Sequence, residues 1–257
     1  MLTALRWLAL EAKYLEPARA FYEEALGLPV GQASQDEVVY AAGEDELVLR
    51  RASGVPRGGV HTHYAFGAPR ARYDDWYDRL SGAFDLREHE FGSAKSLYLY
   101  DPDGNCVEIA GTEGSTEATD DSTGTTDDST DPGDDSTDAV ADQSDAADAP
   151  PIGGVFEVVL EVESLDRAES FYRPLGFDPV DRGDARRRVR LRGPVDLELW
   201  EPQLGIADAR GGLHVDLGFE ADPDRVVDAV GDRACEVIDG DDGVRVRDPD
   251  GHWLTIQ

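Results

Sequence analysis

Only two cysteines, Cys106 and Cys235, occur in 257 residues, and they fall in different halves of the chain with no paired spacing. That argues against a disulfide framework or a cysteine-built metal site and leaves both as expected packing residues. Cys106 lies two positions before Glu108 on an expected strand, so the two share a face. Lysine is equally scarce. Lys13 and Lys95 are the only two, and all basic residues total 24 against 55 Asp and Glu, for a formal charge of −31. Such a chain should repel nucleic acid and anionic membranes. No apolar run approaches the roughly 20 residues of a membrane span. No positively charged leader precedes an apolar run, so a cytoplasmic location is expected.

The acidity is unevenly spread. Residues 111–151 carry 13 acidic side chains, no Lys or Arg and no aromatic. Such a Ser/Thr/Asp/Gly text buries too little apolar area to offset its ordering entropy, so 113–151 is expected to be a disordered acidic linker. Without those 13 charges the remainder still stands at −18 (−31 + 13). Acidic surfaces with almost no lysine resemble proteins of salt-accumulating halophilic archaea.

On either side of the linker the sequence repeats. LEPARAFYEEALGL from Leu15 matches LDRAESFYRPLGF from Leu165, and each reads as an amphipathic helix after an apolar strand, ended at glycine. GGVHTHYAF from Gly58 matches GGLHVDLGF from Gly211, and DPDGNCVEI from Asp101 matches DPDGHWLTI from Asp248. DPDG reads as a turn feeding a final strand. Residues 1–112 and 152–257 are therefore two copies of one domain. Each divides again into strand, helix and three strands, giving four βαβββ units and an α+β fold class.

These motifs together resemble the vicinal oxygen chelate superfamily, which includes glyoxalase I, extradiol dioxygenases, fosfomycin-resistance transferases and metal-free bleomycin-resistance proteins. The resemblance covers nearly all the chain outside the linker. It implies a metal in a cleft formed by two units, held by one side chain from the first and one from the last strand of each. By register those positions fall on Trp7, His63, Glu157 and His214 in the first strands, and on Val48, Glu108, Glu198 and Thr255 in the last. If consecutive units pair, neither half is complete, and the second half offers the better set, Glu157, Glu198 and His214. If the second unit faces the third, one site collects His63, Glu108, Glu157 and Glu198. Both pairings stand as alternatives, and so do a monomer and a homodimer.

Nitrogen and oxygen donors without thiolate suit Zn, Ni, Mn, Co or Fe(II). The resemblance implies a small-molecule substrate bound through adjacent oxygens by a glyoxalase-like lyase or isomerase, with Glu108 or Glu157 as the proton-transfer base. One alternative is a ring-cleaving extradiol dioxygenase, for which His61 would have to supply a second imidazole. Another is a metal-free module binding an antibiotic-like molecule. Trp200 and Arg50 are expected to line the substrate cavity with His61, and Trp7, Trp253, Tyr98 and Tyr14 are further aromatic candidates. The cluster Arg186, Arg187, Arg188, Arg190 and Arg192 is expected to pair with nearby carboxylates. Glu157 shares a strand face with Val159 and Glu161, and a solvent-facing position is its competing reading.

Overall fold

The computed structural model describes residues 1–52, 62–91, 94–112, 149–183, 187–202, 215–240 and 243–257. His61, Arg186, His214 and the expected disordered linker lie outside these, the linker except for residues 149–151.

Four βαβββ units follow one another. The first comprises β1 (Ala4–Ala12), α1 (Leu15–Ala20, continued by a π turn over Phe21–Ala25), β2 (Val30–Ala33), β3 (Glu37–Ala42) and β4 (Asp45–Arg51). The second comprises β5 (His63–Pro69), α2 (Tyr73–Ser81), β6 (Arg87–Phe91), β7 (Ala94–Tyr100) and β8 (Cys106–Thr112). Across the linker come β9 (Val155–Glu161), α3 (Leu165–Tyr172), β10 (Asp178–Arg182), β11 (Arg188–Arg192) and β12 (Asp196–Trp200). The last unit has β13 (Asp216–Glu220), α4 (Pro223–Val230), β14 (Glu236–Gly240), β15 (Gly243–Arg247) and β16 (Trp253–Ile256).

These strands form two eight-stranded sheets, and each sheet takes one unit from each half. One runs β10-β11-β12-β9-β5-β8-β7-β6, the other β14-β15-β16-β13-β1-β4-β3-β2. The seams are antiparallel: β5 lies on β9, with Ala65 opposite Glu157, and β1 lies on β13, with Trp7 opposite Gly218. Of the two pairings open to the sequence, the strands adopt the one in which the second unit meets the third.

Strand alternation sorts the side chains. On β5, Tyr64 and Phe66 go to the core, so His63 and Ala65 face the other way; on β8 the split is Val107 and Ile109 against Cys106 and Glu108. The helices cover the core face. In α1, Leu15, Ala18, Phe21 and Tyr22 fall at helical spacing and are all buried, and Leu165, Ala168, Phe171 and Tyr172 repeat this in α3. Ser164 caps α3, and Asp222 caps α4 by accepting from the backbone N–H groups of Asp224 and Arg225.

The two repeated motifs meet in space. Tyr22 donates to Asp101 at 2.8 Å and Tyr172 to Asp248 at 2.7 Å, so the tyrosine of each FY pair closes on the first aspartate of DPDG in the next unit. That aspartate also accepts the turn's own N–H groups, from Asp103 and Asn105 in one copy and from Asp250 and His252 in the other. Gly104 and Gly251 sit at φ 86° and 101°, a region that L side chains avoid. A hydroxyl bonded to a buried carboxylate is worth about 1.5–3 kcal/mol. The halves are thus knitted internally by these tyrosines and to each other by the sheet seams. Cys106 is buried as expected, whereas Cys235 is exposed rather than a packing residue.

Candidate metal centre

On the sheet that carries β5, β8, β9 and β12, the face away from the helices gathers a buried polar group. His63 begins β5, Glu108 sits at the third position of β8, and Glu157 at the third position of β9. One donor atom from each of the three lies within 4.8 Å of the others, and all three residues are buried. His63 Nε2 is 3.0 Å from Glu108 Oε2. Glu157 is 6% exposed, so it does not point to solvent.

The two glutamates live in different fields. Burial pushes the Glu108 carboxyl up, but hydrogen bonds from His63, Ser96 and Tyr98 outweigh it and hold Glu108 below the ordinary carboxylate range. Glu157 goes the other way. Burial first, then the charge of Glu198, raise it to about 8, although Arg190 lies 2.6 Å away and opposes the shift. Glu108 is therefore a committed anion, and Glu157 is poised to hold or release a proton near neutrality. Burial and the neighbouring Glu108 also raise the Tyr98 phenol well above its usual range.

Glu198 stands apart from this trio. Its carboxylate accepts from Arg188 at 3.1 Å and from the Trp200 indole N–H at 2.8 Å. It acts on the centre through its charge on Glu157 and by fixing Trp200, whose ring centroid lies 6.3 Å from that of His63. Tyr98 stacks edgewise on His63 at 5.5 Å. Arg190 bridges Glu157 and Asp196, Arg187 pairs with Glu201, and Arg192 with Asp196, so these arginines bind carboxylates as expected. What the sequence reading missed is that Arg188 and Arg190 reach into the site itself. The hairpin register carried a signal, because Arg190 lies directly across from Glu198 and Tyr98 directly across from Glu108.

Several expected neighbours go elsewhere. Arg50 lines the opposite cleft, 2.8 Å from Asp216, because β4 belongs to the other sheet. Trp7, Trp253 and Thr255 line that cleft too, and Tyr14 is 71% exposed. The alternative set with His214 meets a topological obstacle, since β13, which follows it, pairs with β1 and β16 and not with β9. The register is corrected as well. Ala65 opposite Glu108 corresponds to Gly218 opposite Thr255, so the position equivalent to His63 is Asp216, two residues beyond His214.

The donor set fits a divalent cation. Burial and the crowding of Glu108, Glu157 and Glu198 drive one of them to hold a proton, which a cation could replace, and an imidazole with two carboxylates is a common oxygen and nitrogen shell for first-row metals.

No family model and no curated protein matches the chain. Solved structures do. A candidate dioxygenase from Bacillus subtilis subsp. subtilis str. 168 superposes with a TM-score of 0.70 at 15% identity, covering 99% of this chain and 84% of that one. Glyoxalase I from Zea mays gives 0.62 at 14% identity, covering 98% and 91%. At such identities the likeness is one of fold, and it extends over both sheets.

Proposed function

For a chain with the fold of the vicinal oxygen chelate superfamily, we propose a metal-dependent enzyme that binds a small substrate through two adjacent oxygens, of the glyoxalase-like lyase or isomerase class. The observation that carries this reading is the convergence of donors from His63, Glu108 and Glu157, all three buried, within 4.8 Å of one another. His63, Glu108 and Glu157 would hold the ion. A bound divalent metal supplies Lewis acidity, polarising the substrate's adjacent oxygens.

The chain's own residues then divide the work. Glu108, kept ionised by His63, Ser96 and Tyr98, is suited to permanent ligation. Glu157, whose anion burial and the neighbouring Glu198 disfavour, is the ligand suited to leave the ion, take a proton from a carbon beside a carbonyl and return it to the neighbouring carbon. Arg190, 2.6 Å from Glu157, steadies its anionic form and offers N–H donors to a substrate oxygen. Trp200 and Tyr98 flank His63 and keep water from the site. Among the described residues one imidazole joins two carboxylates, which favours isomerisation over extradiol ring cleavage, for which two histidines and one carboxylate are expected.

Metal analysis of the full chain prepared in high salt tests this. About one divalent ion per chain is expected, lost in His63→Ala and retained in His214→Ala. Failure of the chain to bind or recruit any divalent metal would overturn the proposal in favour of a metal-free binding module. Oxygen consumption with catechols would reassign the metal to ring cleavage.

A further inference from the structure

The second sheet has a cleft at the equivalent place, and it is furnished for something other than a metal. Trp7 replaces Glu157, Val48 replaces Glu198, Asp216 replaces His63, and Thr255 replaces Glu108. Asp216 is fully engaged: one oxygen accepts from Thr255 at 2.8 Å, and the other from Arg50 at 2.8 Å and Arg245 at 3.3 Å. A carboxylate so held by two guanidiniums is a poor cation ligand and a good brace for arginines.

The space around that brace is a cavity of about 620 Å³ with Trp7, Arg50, Asp216, Arg245, Trp253 and Thr255 in its wall. Its indoles are deliberately seated. A Cβ on Gly218 would collide with the ring carbons of Trp7, whereas the equivalent residue in the other sheet is Ala65. Arg245 is fixed twice, by Asp216 and by stacking 4.5 Å over Trp253. In a chain of formal charge −31, the cavity's three arginines (Arg50, Arg51, Arg245) balance its three acids (Glu11, Glu37, Asp216). Trp7 Nε1 and Arg245 Nε are buried donors without an acceptor among the described residues. Neither group can accept, so whatever completes them brings acceptor oxygens.

We propose that this cleft is a metal-independent binding site for a small planar carboxylate, its oxygens taken by Arg245, Arg50 and Trp7 Nε1 and its flat body lying against Trp7 and Trp253. Guanidinium and indole N–H donors match a carboxylate, and two indoles match an aromatic ring, in a site separate from the His63 centre.

The test is calorimetric titration of the full chain, with chelator present, using 1-naphthoate and its neutral isostere 1-naphthamide as probes. Naphthoate is expected to bind and naphthamide to bind about tenfold more weakly. Arg245→Gln should weaken naphthoate by about tenfold and Trp7→Phe by roughly threefold, the latter keeping an aromatic ring on Gly218. Arg190→Gln, in the other cleft, should leave the affinity unchanged. No binding up to about 10 mM, equal binding of acid and amide, or loss in Arg190→Gln with retention in Arg245→Gln would each overturn the proposal. Because chelator is present, none of these outcomes bears on the metal centre.

Discussion

The two clefts share strand order, seam and register, yet almost no chemistry. Around β5 and β9 the inward positions carry His63, Glu108 and Glu157; around β13 and β1 the matching positions carry Asp216, Thr255 and Trp7. In the first, burial and then the neighbouring carboxylate of Glu198 push one carboxyl up to about 8. In the second, one carboxylate is neutralised by two arginines and the space is walled with indole. A backbone that presents the same strand positions twice leaves their chemistry open, and in this duplicated chain the residues at those positions differ between the two sheets.

The comparison breaks most sharply at His63. His63→Ala should reduce divalent metal affinity on the order of a hundredfold or more, measured by competition with a chromophoric chelator, while Asp216→Ala leaves it intact. Next comes Gly218→Ala. It should lower stability by about 2–3 kcal/mol in denaturant melts because the new methyl collides with Trp7, whereas Ala65→Gly at the matching site should stay near 1 kcal/mol.

The pH response of the metal-free protein sharpens the contrast further. Glu157 titrates near 8 when folded and near 4.5 as an ordinary glutamate, so the folded chain holds the extra proton between those values. The stabilisation is complete below about 4.5 and is lost as pH rises towards 8, an effect on the order of 2 kcal/mol given the Arg190 contact. Glu157→Gln should flatten that slope in chelator-treated protein; an unchanged slope would remove Glu157 as its source. The shared scaffold leaves the contrast untouched: Tyr172→Phe should destabilise by about 1.5–3 kcal/mol without altering metal affinity.

Much of this was legible in the letters. The FY helices and DPDG turns marked four units, and the uneven survival of His and Glu among them left two pairings open, of which the strands adopt the second unit with the third. The register of the fourth unit was harder. His214 attracts the eye, but the apolar pair Leu217 and Phe219, matching Tyr64 and Phe66, sets which residues face the core, and that puts Asp216 in line with His63. Arg50 went to the opposite cleft because sheet membership is a long-range property that no local pattern around it carries. The grip of Arg188 and Arg190 on Glu198 and Glu157 depends on long side chains reaching across neighbouring strands, which alternation alone does not specify.

The seams have a consequence for the molecule's ancestry and handling. Taken alone, the first half would present β1 and β5 as unpaired edges, and the second half β9 and β13. Open edges of this kind seek any compatible strand, including that of an identical copy. Joining the halves in one polypeptide raises the local concentration of the correct mate over the self-mate. A swap between two identical halves would give two matching clefts; the covalent join is what permits one cleft to drift from the other without the molecule losing its first.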